Sequence, residues 1–305
     1  MKVVIFAANG YIGRVLTNYY ADKKAEVVAI TRSPFTYRND ITNLIWDGKN
    51  VNSSWTKALD GASLVINLAG KSVNCRYSEK NKKEIFDSRI NATQAIAEAI
   101  QQCSRPPELW INSASATIYR HAEDKPMDEI NGEIGTGFSV EVCKKWEKIF
   151  FETNTKCSRK IALRMAIVLG KNDGAFKRLQ NMVKAGLGGR QGKGTQMFSW
   201  IHDFDLCNIM DFLVASRNLE GVYNAASPHP ITNARLMNVI RNTMKVSFRI
   251  PSPKWLLKIG AFLIGTETEL ILKSRWVVPT KLLNAGFIFE YPEINTAVTE
   301  IIKPK

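Results

Sequence analysis

The sequence predicts an α/β protein built on a doubly wound parallel sheet, with a smaller, mostly helical C-terminal domain. Two patterns indicate this fold class. Short apolar, β-branched runs alternate with segments whose apolar residues recur at helical spacing, and the first run ends in a glycine turn that enters a helix. The predicted strands are Val3–Phe6, Val27–Thr31, Ile45–Asp47, Leu64–Gly70, Leu109–Asn112, Arg159–Leu169 and Val222–Ala226, and the clearest helices are Ser88–Cys103 and Phe138–Phe151.

Length and composition are those of a globular chain that buries a large core. The 305 residues are 45% hydrophobic and 23% charged, and the five cysteines show no CxxC spacing, so neither a disulfide framework nor a metal site is expected. The longest apolar run, Trp255–Ile264, is interrupted by Lys258 and falls short of the roughly 18–20 residues that a membrane span needs. Because the chain enters its first strand without a secretory leader, we expect a cytoplasmic protein with no membrane association.

The formal net charge of +14 is spread along the whole chain instead of forming one long run. A solvated basic surface explains it most simply. Association with nucleic acid or an anionic membrane is the alternative, but no recognition motif accompanies the charge, so no specific nucleic-acid partner is expected. The basicity also suits an anionic cofactor or substrate.

The segment from Ala7 to Gly13 has the pattern of a dinucleotide-binding turn. It follows a strand and opens a helix, and a second strand lies at the distance that a βαβ unit needs. The missing side chains of Gly10 and Gly13 let the backbone approach a pyrophosphate, and the helix N-terminus favours the anion. Ala7 stands where a first glycine is expected, and its methyl group is tolerable if φ stays negative. A simple tight turn is the alternative. The predicted cofactor contacts are Ala7, Asn9, Gly10, Tyr11, Ile12 and Gly13.

The end of the second predicted strand indicates which dinucleotide binds. An acidic residue there would accept a hydrogen bond from the 2′-hydroxyl of the adenosine ribose and would repel a 2′-phosphate. The sequence has Thr31, Arg32 and Ser33 instead, and a guanidinium pairs well with a phosphate. We therefore predict that NADP(H) is preferred over NAD(H). An arginine that simply faces solvent is the alternative.

The division of the chain follows from the point where the alternation of strands and helices loosens. We expect an NADP-binding Rossmann domain of residues 1–170 plus about 200–230, and a substrate domain of residues 171–199 plus 231–305. The glycine-rich stretch Gly186–Gly194 carries basic residues that could clamp a phosphate. A flexible connection is favoured, because no strand leads into it and no helix follows.

Several segments together match one known family. They are the Ala7–Gly13 turn, Asn67–Gly70, Asp87–Arg89 with Ala92–Thr93, Ser113–Ala116, Arg164 with Val168–Gly170, Phe198–His202 with Asp205, and Pro279–Pro292. The chain resembles the extended branch of the short-chain dehydrogenase/reductase superfamily. Within that branch it is similar to the nucleotide-sugar-epimerase-like subfamily, some of whose members are labelled cell-division inhibitors. The similarity runs through nearly the whole chain, and its C-terminal part is the most specific to the subfamily.

The resemblance implies further contacts with ligands. The added cofactor contacts are Asn67, Leu68, Ala69, Gly70, Arg89 and Ser113, and the implied substrate contacts are Arg164, Trp200 and His202. For His202 a structural pairing with the sheet is an equal alternative. Arg76 lies in the basic segment after the fourth strand and borders the presumed substrate cleft, with a structural role as the alternative.

The resemblance also implies a chemistry that this sequence carries only in part. Members of the superfamily transfer hydride at C4 of the nicotinamide while a tyrosine, assisted by a lysine four residues on, gives or takes a proton and a serine holds the substrate oxygen. The tyrosine and lysine positions fall on Ser139 and Cys143, so that pair is missing. Ser115 is retained, and we predict Tyr119 as a substitute acid. Cys143 is a nucleophile, a redox sensor or a small core residue, and the last is favoured.

Together these features predict an NADP(H)-dependent oxidoreductase or epimerase-like protein. Its substrate is a small molecule, a carbonyl compound or a sugar nucleotide, bound between the sheet and the C-terminal helices. The missing Tyr–Lys pair supports an alternative from another class, a catalytically silent NADP(H)-binding regulator that acts through a protein partner. The sequence leaves open whether the chain forms a homodimer.

Overall fold

The computed structural model describes residues 1–35, 38–156, 159–171, 173–251 and 272–303. Cys157 and the apolar run Trp255–Ile264 lie outside these residues. The main sheet consists of β1 (Lys2–Phe6), β2 (Glu26–Thr31), β3 (Ile41–Ile45), β4 (Leu64–Asn67), β5 (Leu109–Ser115), β6 (Arg159–Met165) and β10 (Gly221–Ala225). These seven strands are parallel, in the order β3-β2-β1-β4-β5-β6-β10.

The strand order places a crevice at the carboxyl edge of the sheet. β1 pairs with β2 on one side and with β4 on the other, so Val3 lies opposite both Val27 and Leu64. The chain therefore winds outward in one direction through β3, returns to β4 and continues in the other direction. The loops after β1 and β4 diverge at this switch point, which is where doubly wound sheets bind ligands. The predicted fold class is confirmed.

Helices cover both faces of the main sheet and form part of a second core beside it. They are α1 (Tyr11–Asp22), α2 (Ser53–Thr56), α3 (Glu79–Gln101), α4 (Phe138–Glu152), α5 (Gly174–Lys184), α6 (Asp203–Ala215), α7 (Asn233–Thr243), α8 (Thr280–Asn284) and α9 (Ile294–Ile302). Ile5 faces the side where α1 and α6 pack. Successive side chains of a strand point to opposite faces, so the preceding residue, Val4, faces α3 and α4 on the other side. Both faces are buried, which explains why the strands read as continuous apolar runs.

A second apolar core lies beside the main sheet. The short strand β7 (Ile167–Leu169) pairs with β9 (Trp200–His202), and β8 (Met197–Phe198) pairs with β11 (Ile231–Thr232). Helices α5, α7 and α9 supply the rest of this core, through residues such as Phe176, Leu236 and Val298. Because β7 follows β6 after a single residue, the second core adjoins the carboxyl edge of the sheet.

The third strand lies earlier in the chain than the sequence predicts: it is Ile41–Ile45, and it shares only Ile45 with the predicted Ile45–Asp47. It stops at Ile45, because Trp46 turns into the apolar core and Asp47 begins a turn. The Asp47 carboxylate accepts hydrogen bonds from the N–H groups of Lys49 and Asn50, both at 2.9 Å. A side chain that bonds to the following backbone in this way favours a turn over a strand.

Helix α3 begins before the predicted start at Ser88. Its first residue is Glu79, and the Ser78 side chain caps it by accepting a hydrogen bond from the N–H of Asn81 at 3.3 Å. The first turns of α3 are polar, so they lack the apolar periodicity on which the sequence prediction depends.

The predicted sixth strand, Arg159–Leu169, is two strands in the structure. β6 ends at Met165, and Ile167 pairs with Trp200 in a separate sheet. The sequence pattern does not reveal this break, because both pieces are apolar and buried.

Candidate functional site

The turn between β1 and α1 requires glycine at position 13. A Cβ at Gly13 would lie 2.6 Å from both the Cα and the carbonyl oxygen of Ala8, which is closer than a side chain can approach. A Cβ at Gly10 would meet only the Ala7 carbonyl oxygen, at 3.4 Å, so Gly10 leaves open space outside the turn. Ala7 has a φ of 57°, so the negative φ that would make its methyl group easy to tolerate is not adopted. Left-handed backbone costs a non-glycine residue about 1–2 kcal/mol. The contacts around Ala7 therefore have to hold it in this conformation.

Helix α1 presents its N-terminus to the crevice. No side chain of the described residues caps it, and its first turn carries no acidic residue. Its first N–H groups can therefore donate to an anion. A local and a long-range hydrogen bond fix this end: Arg14 Nη1 donates to the Asn9 carbonyl oxygen at 2.6 Å, and the Tyr11 hydroxyl donates to Asp203 Oδ2 at 2.9 Å.

A cleft of about 670 Å³ opens along the carboxyl ends of β1, β2 and β4. The predicted cofactor residues that line it are Ala7, Asn9, Gly10, Tyr11, Ile12, Gly13, Thr31, Arg32, Leu68, Ala69, Gly70 and Ser113. Residues outside the predicted set also line it, namely Ile30, Trp46, Asp47, Gly48, Lys49, Lys71, Ser72, Ser88, Asn91 and Met165. The structure thus brings the turn, the end of β2 and the end of β4 together around one space.

Arg32 and Lys49 form the basic end of the cleft. Both side chains are exposed, and neither makes a hydrogen bond or an ion pair with another residue in the described part of the chain. Ser33 does not line the cleft, and its carbonyl oxygen accepts a hydrogen bond from Thr31 Oγ1 at 2.8 Å. The sequence signal for Lys49 is the preceding Asp-Gly pair, which marks a turn after a strand.

Asn67 does not line the cleft but holds the backbone that does. Its side chain is fully buried, with Nδ2 donating to Asn112 Oδ1 at 2.7 Å and Oδ1 accepting from the N–H of Ala69 at 3.0 Å. It therefore fixes the backbone that leads to Gly70, instead of contacting a ligand as predicted. Arg89 is also outside the lining residues, and its guanidinium packs against Gly70.

The structure places the two predicted catalytic residues differently. Ser115 is half-buried at the end of β5, where its Oγ accepts a hydrogen bond from the N–H of Thr117 at 3.2 Å. Tyr119 is buried, and its hydroxyl donates to Asn224 Oδ1 at 3.0 Å while it accepts from Arg164 Nη1 at 2.8 Å. Burial raises the pKa of the Tyr119 phenol although Arg164 lies beside it. The geometry does not support Tyr119 as a substitute acid, because its hydroxyl is bonded inside the fold.

Arg164 belongs to the same buried cluster and is not placed to bind a substrate. Its Nε and Nη2 donate to the two carboxylate oxygens of Glu147, each at 2.8 Å, and Nη1 donates to the Tyr119 hydroxyl oxygen, also at 2.8 Å. All three nitrogens of the guanidinium thus have partners within the fold. The prediction of a substrate contact at Arg164 is corrected for this reason.

Trp200 and His202, also predicted to contact substrate, are buried in the second core. Trp200 Nε1 donates to the carbonyl oxygen of His229 at 3.2 Å. His202 caps α6 by accepting a hydrogen bond from the N–H of Phe204 at 3.1 Å, and its ring stacks on Tyr291 with centroids 4.2 Å apart. These contacts support the structural alternative for His202. Arg76 is exposed on the loop between β4 and α3, and its role stays a prediction.

The positions that correspond to the missing Tyr–Lys pair lie on α4. Ser139 Oγ is 3.2 Å from the hydroxyl of Tyr77, and Cys143 is buried. Burial is the main reason why the pKa of the Cys143 thiol is raised to about 11. Because the thiolate is the reactive form, this environment favours the interpretation of Cys143 as a core residue.

We expect Cys143 to resist alkylation. At mildly alkaline pH, iodoacetamide should label it at least about tenfold more slowly than Cys75, which is partly exposed. Timed labelling followed by peptide mass spectrometry measures both rates in one sample, and labelling in urea provides the control in which the two rates converge. Equal rates in the folded protein would instead restore Cys143 as a nucleophile.

Residues 3–226 match the NAD dependent epimerase/dehydratase family. The chain belongs to this family. Residues 252–301, only part of which the structure describes, match a domain of unknown function, DUF1731. The resemblance to the epimerase-like, extended short-chain dehydrogenases is thereby confirmed.

Three proteins from this comparison match nearly the whole length of the chain. The epimerase family protein SDR39U1 of Mus musculus is 27% identical over 306 residues, which cover 99% of this chain and 100% of the mouse protein. The crystal structure of the human epimerase family protein SDR39U1 (isoform 2) with NADPH has a TM-score of 0.86 at 26% identity, covering 99% of both chains. The nucleoside-diphosphate sugar epimerase of Corynebacterium glutamicum has a TM-score of 0.77 at 26% identity, covering 99% of this chain and 58% of that one.

The helices give no indication of a membrane span. None in the described ranges is both long enough and apolar enough to cross a bilayer.

Proposed function

We propose that the cleft binds NADP(H), with the pyrophosphate at the N-terminus of α1 and the 2′-phosphate at Arg32. The observation that supports this most is the exposed guanidinium of Arg32, which has no partner among the described residues and lies where a carboxylate would select NAD(H). The turn suits a pyrophosphate, because Gly10 leaves space beside uncapped N–H groups. NADPH in the crystal structure of the human relative supports the same assignment.

On this proposal, the bound nicotinamide supplies or takes a hydride, and the protein reduces, oxidises or epimerises a small carbonyl or sugar-nucleotide substrate. Ser115 orients the substrate oxygen. Its Oγ accepts a hydrogen bond from Thr117, which leaves its own O–H group to donate to the substrate. Ser113, two residues earlier on the same face of β5, lines the cleft, so Ser115 is directed to the same side of the sheet.

A second function, cofactor binding without turnover, is supported by the absence of an evident proton donor among the residues that the structure describes. Tyr119 is bonded inside the fold, and Cys143 stays protonated and buried. A protein of this kind binds NADP(H) and signals its level to a protein partner.

Binding and turnover measured on the same protein separate the two functions. We expect calorimetry to show NADPH binding at least about tenfold tighter than NADH, since an arginine–phosphate contact is a charge-assisted hydrogen bond. The absorbance of the reduced nicotinamide should then fall when a panel of carbonyl compounds is added. Ser115→Ala should lower this turnover at least about tenfold without changing the affinity for NADPH.

The exposed and remote Ser104 provides the control, and Ser104→Ala should leave turnover unchanged. Tight NADPH binding with no turnover across the panel supports the regulator. If neither cofactor gives heat on titration, both functions are wrong.

A further inference from the structure

The second core carries most of the net charge of the protein. Residues 174–199 and 231–251, which supply α5, β8, β11 and α7, contain nine lysine and arginine residues and no aspartate or glutamate. These two ranges therefore account for nine of the net +14 charges. They are separated along the chain, but α5 packs against α7, so the fold brings their charges together.

The loop after α5 packs against both the start of α7 and the chain that follows α7. The N–H of Ile250 donates to the carbonyl oxygen of Gly186 at 2.8 Å, and the N–H of Gly189 donates to the carbonyl oxygen of Ile250 at 3.3 Å. A Cβ at Gly194 would lie 3.1 Å from the Cβ of Ala234. The exposed cations within two residues of these contacts form what we call the basic face: Lys184, Arg190, Lys193, Arg235 and Arg249.

The charge of the basic face is not neutralised by the chain as far as the structure describes it. None of the five cations makes an ion pair or a side-chain hydrogen bond with another described residue. Acids on the neighbouring elements have other partners. Asp173, which caps α5, pairs with Arg14, and on the side of α9 Glu293 and Glu300 each pair with a histidine. Five unpaired cations on one surface favour an anionic partner.

Two large apolar side chains lie exposed among these cations. Phe248 is 66% exposed and Ile250 is 44% exposed, on either side of Arg249. The ring of Phe248 lies over Gly186, where a Cβ would stand 3.0 Å from its Cδ1, so the ring is held at the basic face. Both side chains would gain free energy by leaving water, and the partner therefore has an apolar layer as well as negative charge.

We propose that the basic face binds the surface of a membrane that contains anionic lipids. The cations attract the lipid headgroups, and Phe248 and Ile250 enter the boundary between headgroups and acyl chains. A nucleic acid offers phosphates to the cations and bases on which a phenyl ring stacks, but it has no apolar layer for Ile250. Peripheral binding needs no membrane-spanning helix. It differs from the expectation of no membrane association, which depended on the missing span and leader.

The basic face lies away from the cleft. Helix α5 begins at Gly174, where a Cβ would lie 2.9 Å from the ring of Tyr11, a residue that lines the cleft. The helix then runs for 11 residues, about 16 Å, to Lys184. The five cations are not among the residues that line the cleft. Membrane binding and NADP(H) binding are therefore separate events that can be measured separately.

Co-sedimentation of the full-length protein with vesicles tests the proposal. The vesicles are phosphatidylcholine alone or an equal mixture of phosphatidylcholine and phosphatidylserine. We expect binding to the mixed vesicles to be at least about tenfold tighter, and Arg190→Gln/Arg249→Gln to weaken it at least about tenfold. The control Lys57→Gln/Lys80→Gln removes two exposed charges outside the second core, and it should change the affinity by less than about twofold.

The variant Phe248→Ser/Ile250→Ser separates a membrane from other polyanions, because it keeps every charge. It should lose at least about tenfold of the affinity for mixed vesicles, with any binding to duplex DNA unchanged. Ile288→Ser changes an 87% exposed residue outside the basic face, and it should bind vesicles like the wild type. If circular dichroism shows that the double variant does not fold, Ile250→Ser alone replaces it.

Three results would overturn the proposal. The first is no preference for the mixed vesicles, and the second is equal vesicle binding by the wild type and both variants of the basic face. The third is tighter binding to duplex DNA than to mixed vesicles at the same salt concentration, which would identify a nucleic acid as the partner. NADPH affinity should be the same in all these variants, so a failure of vesicle binding leaves the proposed function unaffected.

Discussion

Arg32→Glu reverses the cofactor preference, lowering the affinity for NADPH about 100-fold and raising the affinity for NADH. The loss combines a charge-assisted contact with the 2′-phosphate and a new repulsion between two anions, and each factor of ten corresponds to about 1.4 kcal/mol. The gain follows because a carboxylate at this strand end accepts a hydrogen bond from the ribose 2′-hydroxyl. Calorimetric titration of both variants with both cofactors measures the ratio of the two affinities.

Two further variants make this result specific to the site. Arg217→Glu introduces the same change of charge at a highly exposed residue remote from the cleft, so it should leave the ratio unchanged. Lys49→Gln removes the second cation at the basic end of the cleft and should weaken NADPH binding by a smaller factor than Arg32→Glu. An unchanged ratio in Arg32→Glu would mean that the guanidinium only faces solvent.

The cleft could be predicted from the sequence because local sequence patterns fix the positions of the residues that line it. Gly10, Gly13 and Arg32 each follow a strand by a fixed number of residues, and parallel strands bring their carboxyl ends to one edge. The position of Lys49 could not be predicted in the same way, since it depends on where β3 stops and the Asp47 turn begins.

The buried cluster around Tyr119 lies beyond local patterns. Its members, Tyr119, Glu147, Arg164 and Asn224, come from four separated segments, and their hydrogen bonds form only when β5, β6, β10 and α4 pack together. In a sequence, a tyrosine after a serine motif and an arginine on a buried strand look like site residues. The contacts of the folded chain show instead that they satisfy one another.

Glu147→Gln should be the most destabilising single change in this cluster, lowering the free energy of unfolding by about 3–5 kcal/mol. The Arg164 and Glu147 side chains are only 11% and 10% exposed, and the variant leaves the guanidinium buried without a counter-charge. Loss of one partner of a buried pair costs more than the pair itself contributes, because the remaining charge cannot return to water. Urea denaturation followed by circular dichroism measures the change as a lower midpoint.

Helix α4, which carries Glu147, supplies a matched control for Glu147→Gln. Glu141→Gln removes a glutamate from the same α4, but Glu141 pairs with Lys144 at the surface, so the expected change is below about 1 kcal/mol. The double variant Glu147→Met/Arg164→Met removes both buried charges and should recover much of the lost stability, since an apolar pair avoids the desolvation of two ions. If Glu147→Gln unfolds at the same urea concentration as Glu141→Gln, the buried pair does not hold α4 against β6.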